Sequence, residues 1–464
     1  MYHKKAHIHF VGIGGIGMSG IATILRLQGY QISGCDIDTH QKSIIDLKAI
    51  GCTIGEGNNS AQCDDHSIDI LVYSSAIKIT DEEIQRAQQR GIPTISRALM
   101  LAELMRTKYS IAVAGMHGKT TTTSLISHIL IEAHKDPTVI IGGHLKNISS
   151  NARMGTGDFL VAEADESDRS LLSLQATLAI ITNINLEHLD TYTDIEDIKQ
   201  TFVQFLNNLP FYGKAIVCID DPYIRSILPM PHIKFIKYGI NPDADLYADA
   251  IELGTDHVQF TVCTATERLG RIMLPMPGIH NVRNCLAAIA LCRDLTISFE
   301  TITQACATFK GVDRRFSYRG IFNGAEIFDD YGHHPDEIKH TVAVARQRSK
   351  GKLILVFQPH RYTRTDKLWH YFIDTFKQLP IDELLITDIH AASEEPIPGI
   401  TSDRFVAALQ TAALPYTVRY VPYEKDFKEM QRHLTTLANS NDLILLQGAG
   451  KITLLSRYLC NDNL

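Results

Sequence analysis

A chain of 464 residues, 45% hydrophobic and 21% charged, has the make-up of a soluble globular protein, and at roughly 150 residues per domain it is long enough for about three. The net charge of −7, a pI near 6.3 and the lack of a long basic run exclude nucleic acid as an expected partner, while leaving room for local cationic pockets that take an anionic substrate. The nine cysteines, Cys63 among them, form no C-x-x-C pair and read as reduced packing thiols of a cytosolic protein.

Lys4 and Lys5 precede an apolar stretch, but His7 and His9 interrupt it and no cleavage site follows, so no signal peptide is expected. No apolar run reaches the ~18 residues of a membrane helix, and a cytoplasmic protein without membrane insertion is the expectation. HIHFVGI reads as a strand, MSGIATILRLQGY as a helix stopping at Gly29, and QISGCDID as the next strand. Similar units follow through EEIQRAQQRGIPTIS, and this first α/β region closes at residue 106. Gly12, Gly14 and Gly17 spell G-x-G-x-x-G, Gly15 stands between them, and Asp36 follows about twenty residues later. Alone, that fingerprint points to a nicotinamide-dependent dehydrogenase; physically it reports only a pyrophosphate at a helix N-terminus.

A second α/β region, 107–312, opens with YSIAVAGMHGKTTTT. A strand to Ala114, a turn over Gly115–Lys119 and a helix from Thr120 are expected. Gly115 and Gly118 let backbone N–H groups face phosphate, Lys119 supplies charge, and the Thr120 hydroxyl suits Mg²⁺. The first glycine stands later than in the usual G-x-x-x-x-G-K-[ST], so this is a shorter variant. LVAEADESD and AIITNINLEHLD place acidic groups after apolar strands, where ligands bind in open α/β sheets. Glu163 fits an Mg²⁺-orienting carboxylate, with Asp165, Glu166 and Asp168 after it. His188 lies between Glu187 and Asp190 and suits either a second cation or a structural role. In PGIHNVRNCLAA, Asn281 and Asn284 share a helical face; helix capping is the favoured reading, a purine edge the other.

The third region, 313–464, alternates again, with strands at EIFDDYG, KLILVFQP, ELLITDI and NDLILLQGAG. Arg314 and Arg315 form a compact cation suited to phosphate or carboxylate. DDYGHHP, carrying Tyr331 and His333, and QPHRYTRT, carrying His360, Arg361 and Arg364, both follow strands; two guanidiniums there could dock a carboxylate.

Taken in order, GIGGIGMSG, SRALMLAELMR, AGMHGKTTTT, SSNARMGTGDFLVAEADESD, TNINLEHLDTY, LPFYG, PGIHNVRN, GVDRRF, DDYGHHP and QPHRYTRT resemble the Mur ligases of bacterial peptidoglycan synthesis over essentially the whole chain. The resemblance is greatest to the alanine-adding branch. It implies an α/β chain of three domains: a Rossmann-like one for the UDP moiety, a central P-loop one for ATP, and a Rossmann-like one for the amino acid and part of ATP. It implies the substrates ATP, UDP-N-acetylmuramate and L-alanine, with Mg²⁺, or Mn²⁺ in its place, and a monomer or homodimer. By the same resemblance Gly115, Met116, His117, Gly118, Lys119, Thr120 and Thr121 bind the ATP phosphates, Asn281 lies near adenine and Arg315 near phosphate. Thr120 and Glu163 hold one Mg²⁺, and His188 a second. Gly12, Gly14, Gly15, Gly17, Asp36, Ser74, Arg97, Asn151, Glu166 and Ser167 take the sugar nucleotide. Tyr331, His333, His360, Arg361 and Arg364 line the amino-acid site, and His188 or His333 accepts the amine's proton. Met116 stands where the family has Thr and Leu99 where it has Glu. Lys199 is not assigned the role of the carbamylated lysine found in other branches. A sibling ligase that attaches a peptide to the same sugar is the alternative.

Overall fold

The computed structural model describes residues 5–57, 65–148, 150–188, 191–392 and 394–460; Lys4, Cys63 and Asp190 lie outside them. The first sheet is built from His7–Val11 (β1), Gln31–Asp36 (β2), Thr53–Glu56 (β3), Ile70–Tyr73 (β4) and Thr94–Ser96 (β5). Its order is β3-β2-β1-β4-β5, and every pair is parallel. β1 is buried throughout, as a central parallel strand covered on both faces must be. The helix Ile16–Leu27 (α1) buries Ile21, Ile24 and Leu25, three and four residues apart, and leaves Leu27 half exposed. Helices Lys42–Ala49 (α2), Glu82–Gln89 (α3) and Arg97–Met105 (α4) complete this unit. The strand order reverses between β1 and β4, and the glycine turn sits at that switch point, where α/β sheets bind ligands.

The second sheet has ten strands: Tyr109–Ala114 (β6), Thr138–Leu145 (β7), Ser150–Arg153 (β8), Phe159–Glu163 (β9), Leu178–Ile181 (β10), Lys214–Cys218 (β11), Lys234–Gly239 (β12), Leu246–Leu253 (β13), Val258–Cys263 (β14) and Arg268–Leu274 (β15). β6 lies between β10 and β9, parallel to both, and feeds Lys119–Glu132 (α5). The helices Ile195–Asn207 (α6), Pro222–Ser226 (α7), Ile279–Asp294 (α8) and Phe299–Thr308 (α9) follow in turn, and α5 packs on α8 and α9.

The third sheet runs β16-β17-β21-β18-β19-β20, from Ser317–Phe322 (β16), Ala325–Asp330 (β17), Leu353–Phe357 (β18), Glu383–Ile386 (β19), Thr417–Tyr420 (β20) and Leu443–Gln447 (β21). Only the β16 edge pairs antiparallel. Pro335–Arg348 (α10), Tyr362–Lys367 (α11), Trp369–Phe376 (α12), Ser402–Thr411 (α13), Lys428–Leu437 (α14) and Leu455–Leu459 (α15) flank it.

One apolar cluster runs through the first two sheets and ends at Val312; the two faces of the third sheet form separate clusters. None of the described cysteines is in a disulfide. No helix among the described residues is long and apolar enough to cross a membrane.

Candidate active site

The sequence KTTTTS is a poor helix former, because β-branched threonines lose rotamer freedom against the preceding turn. α5 forms because it is buried: Thr120 to Leu130 are all shielded from water. At its entrance Gly115 (φ +129°) and Gly118 (φ +82°) adopt left-handed backbone, and a Cβ on either would collide with the side chains of Thr182 and Asn284 respectively. The residues after β10 brace the loop. Met116 N–H donates to Asn183 O at 3.2 Å, and His117 N–H to Asn183 Oδ1 at 2.9 Å. Met116 is thus held through its backbone N–H.

Lys119 Nζ reaches Gly115 O at 2.6 Å, Met116 O at 3.1 Å and Glu166 Oε1 at 2.8 Å. Burial works against its ammonium, but Glu166 and Asp165 raise its pKa overall. Thr120 Oγ1 donates to Glu163 Oε2 at 3.2 Å, and Gly142 N–H to Glu163 Oε1 at 2.8 Å. Burial pushes the Glu163 carboxyl up. His188 (φ +52°) turns its ring toward the same place, with Nε2 3.3 Å from Glu166 Oε1 and 3.7 Å from Glu187 Oε2. Lys119 and His188 therefore meet at Glu166, while Thr120 pairs with Glu163. Glu166, expected with the sugar nucleotide, is found against Lys119 and His188 at the phosphate loop. Ser167 is held through its backbone, N–H to Asp165 Oδ1 at 3.1 Å and C=O from Thr191 Oγ1 at 2.6 Å.

His117 Nε2 lies 2.9 Å from Glu187 Oε1, and its Nδ1 lies 3.5 Å from Glu337 Oε1. Burial opposes the charged ring, but Glu187 and then Glu337 raise its pKa to about 10. Against the burial that would raise them, His117 and then His334 hold the Glu187 carboxyl low, and His333, then His117 and Arg315, hold that of Glu337 low. Neither His117 nitrogen, nor Glu166 Oε2, nor Glu187 Oε1 is in hydrogen-bond alignment with a partner. Buried polar atoms left unsatisfied around a glycine cradle fit a site that carries phosphate and cation.

Beside the loop lies a cavity of about 710 Å³, bounded by His117, Gly118, Thr121, Asn281, Asn284 and Arg315. The capping reading of the asparagines does not hold. Gly278 is the N-cap of α8 and has no side-chain cap, whereas Asn281 is buried and donates from Nδ2 to Pro277 O at 2.7 Å. Asn284 Nδ2 donates in turn to Asn281 Oδ1 at 3.3 Å. Arg315 lies 3.7 Å from Glu337 Oε1 and stacks over the Tyr331 ring at 5.5 Å.

From the third domain, His333 stands between Tyr331 and His360, with ring centroids 5.6 and 5.5 Å away. Burial, then Arg364, lowers the His333 pKa to about 3, and burial with His333 and Arg364 lowers that of His360 to about 2, so both rings are neutral at neutral pH. Arg361 (φ +69°) starts α11, and its Nη1 lies 3.8 Å from Glu394 Oε1. Arg364 Nη1 donates to His360 O at 3.1 Å. Both guanidiniums line a small cavity of about 20 Å³ with Glu187, His188, His334 and Thr363. Lys367, the last residue of α11, and Leu368 after it lie beyond the QPHRYTRT motif, and the short α11 has no long apolar period to announce them.

In the first domain Gly14 N–H donates to Asp36 Oδ2 at 2.8 Å, and Asp38 N–H to Oδ1 at 3.1 Å. Asp36 is buried and holds the glycine turn shut. Ser74 N–H bonds Val11 O at 3.2 Å beside Gly12. Asn151 Nδ2 donates to Ile16 O at 2.7 Å and Ser19 Oγ at 3.1 Å, tying β8 to the first turn of α1. Arg97 packs over Gly17 and pairs with Asp165 at 3.3 Å, so it joins the glycine turn to the acidic strand end beside Lys119. Gly15, the N-cap of α1, has no side-chain cap. Lys199 pairs with Glu196 at 2.8 Å on α6, and Leu99 is exposed on α4.

Known proteins are similar to this chain along its length. Family models described as "Mur ligase family, catalytic domain", "Mur ligase middle domain" and "Mur ligase, glutamate ligase domain" match residues 7–109, 113–292 and 314–450. The chain is 45% identical to the UDP-N-acetylmuramate–L-alanine ligase of Syntrophus aciditrophicus over 97% of its length and 92% of the relative's. It is 46% identical to that of Syntrophotalea carbinolica over 97% of each. Among solved structures, the UDP-N-acetylmuramate–alanine ligase of Thermotoga maritima superposes with a TM-score of 0.81 at 26% identity, covering 99% of both chains. With three α/β sheets in series and matches along almost all of its length, the protein belongs to the Mur ligase family.

Proposed function

We propose that the protein joins L-alanine to UDP-N-acetylmuramate with cleavage of ATP to ADP and phosphate, a step of peptidoglycan precursor synthesis. Residues 1–106 take the UDP moiety, 107–312 take ATP, and 313–464 present the amino acid. A free carboxylate does not acylate an amine, because its oxygen is a poor leaving group; phosphorylation of the lactyl carboxylate makes an acyl phosphate that does. Carboxylate and γ-phosphate repel, and Lys119 lies where its charge offsets that repulsion. Thr120 and Glu163 would hold one Mg²⁺ and His188 a second, which supply further charge neutralisation when bound. Asn281 faces the nucleotide cavity and Arg315 the phosphates. Arg361 and Arg364 anchor the alanine carboxylate, and His188 or His333 accepts the amine's proton, a role that the depressed pKa of the His333 ring disfavours for His333.

The observation that carries this reading is the meeting of two elements at Glu187 and His188. The phosphate loop and its carboxylates come from the middle domain, and Arg361, Arg364 and His334 come from the third. The glycine turn of the first domain then belongs to the pyrophosphate of UDP; Asp36, already engaged with the turn, is not displayed for a nicotinamide ribose. The reading places the reaction in the cytoplasm, where ATP and nucleotide sugars are made, in a monomer or homodimer. Phosphate release measured with ATP, Mg²⁺ and UDP-N-acetylmuramate, with and without each amino acid, tests it. Release that does not require both the sugar nucleotide and L-alanine sinks the assignment.

A further inference from the structure

The third domain shares no apolar cluster with the rest of the described chain. At the phosphate loop its contacts with the middle domain are polar. Asn185 Nδ2 donates to Asp336 Oδ2 at 2.7 Å, and His334 Nδ1 lies 3.4 Å from Glu187 Oε1. The His117 ring lies 2.9 Å from Glu187 of the middle domain and 3.5 Å from Glu337 of the third. A polar seam without a shared core opens readily in water, since each group regains hydration. Among the described residues of the loop, His117 is the one whose side chain is paired with carboxylates of both domains.

We propose that His117 is a positioning residue: its ring, clamped between Glu187 and Glu337, couples the phosphate loop to closure of the third domain. The inference rests on the ligase reading. Without this ring, Glu187 and Glu337 face each other across the seam, and like charges oppose closure. With it, a phosphate loop in its binding conformation presents the one group that both carboxylates need. The third domain, carrying Arg361, Arg364 and His333, then settles over the acyl centre. His117 does this without touching the reacting atoms.

The test is a double-mutant cycle of His117→Gln and Glu337→Gln. Glutamine at 337 preserves the capping box of α10, which accepts the backbone N–H groups of His333 and His334, and melting curves check that each variant folds. His117→Gln is expected to lower kcat at least about tenfold and to raise the KM for alanine. The KM for ATP should stay within about threefold, because the loop binds phosphate through backbone N–H groups. The double variant is expected to be no worse than Glu337→Gln alone, since the repulsion has already gone. Additive losses, or a defect confined to the KM for ATP, overturn the proposal. Small-angle scattering with a non-hydrolysable ATP analogue and UDP-N-acetylmuramate gives a second readout. The wild type should become more compact and His117→Gln should not; equal compaction of the two overturns the latch. Wild-type protein that releases no alanine-dependent phosphate fails the ligase reading instead, and scattering with the ATP analogue alone still reports on the latch.

Discussion

Lys119 and Glu166 form an ion pair beneath the phosphate loop, Nζ to Oε1 at 2.8 Å, with the Glu166 side chain buried. The ammonium also donates to the Gly115 and Met116 carbonyls, so on the proposed reading it exchanges one of these three partners for a phosphate oxygen when ATP binds. Lys119→Ala should abolish nearly all turnover, by roughly 10³-fold or more. Phosphate release assays against circular dichroism melting separate this from unfolding. A folded Lys119→Ala protein with wild-type turnover would remove the lysine from the mechanism.

Gly118→Ala is expected to damage both binding and stability. The backbone there is left-handed at φ +82°, and a methyl group would run into the Asn284 side chain. Strain of this kind costs about 1–3 kcal/mol, and relief by moving Asn284 would disturb Asn281 at the cavity wall. The melting temperature should fall and the ATP dissociation constant rise; unchanged ATP binding by calorimetry speaks against the cradle.

Much of this site was legible because its chemistry is carried by short, contiguous runs. The strand–turn–helix around AGMHGKTTTT needs only a buried strand, two glycines and a lysine, and the structure has β6, the turn and α5 in that order. What pairs with what was not legible. Glu166 is 47 residues from Lys119 in sequence and meets it only because β9 lies beside β6. The asparagines of α8 read as caps in a linear sequence, and only packing against the phosphate loop turns them inward. The edge strands β16 and β20 escaped notice for a physical reason. Each is half exposed and lacks the apolar run of a central strand such as β21.

Arg364→Lys tests the amino-acid site. Arg364 is half-buried, bonded to the His360 carbonyl, and faces the small cavity beside Glu187. A lysine keeps the charge but loses the planar fork that grips a carboxylate with two parallel bonds. The KM for L-alanine should rise about tenfold or more, while the KM for UDP-N-acetylmuramate stays within about twofold. A rise confined to the sugar nucleotide would mean that the arginine serves the other substrate.

The charge on His117 gives stability a pH signature. Its folded pKa, about 10, lies above the ordinary 6.5 because Glu187 and Glu337 outweigh burial. Between those values the folded state holds a proton that the unfolded state releases. The ring's contribution is therefore complete below about 6.5 and decays as the pH rises through 10. His333 and His360 act in the opposite sense. Their pKa values are depressed to about 3 and about 2, so the unfolded chain takes up their protons first as pH falls below 6.5, and stability drops there. That acid-side loss is common to wild type and His117→Gln and cancels in their difference. The gap in melting temperature between the two proteins should be widest near neutral pH and narrow steadily toward pH 10. A gap that stays constant across this range would mean that His117 stabilises the fold by packing alone, and that its proton is not what holds Glu187 and Glu337 together.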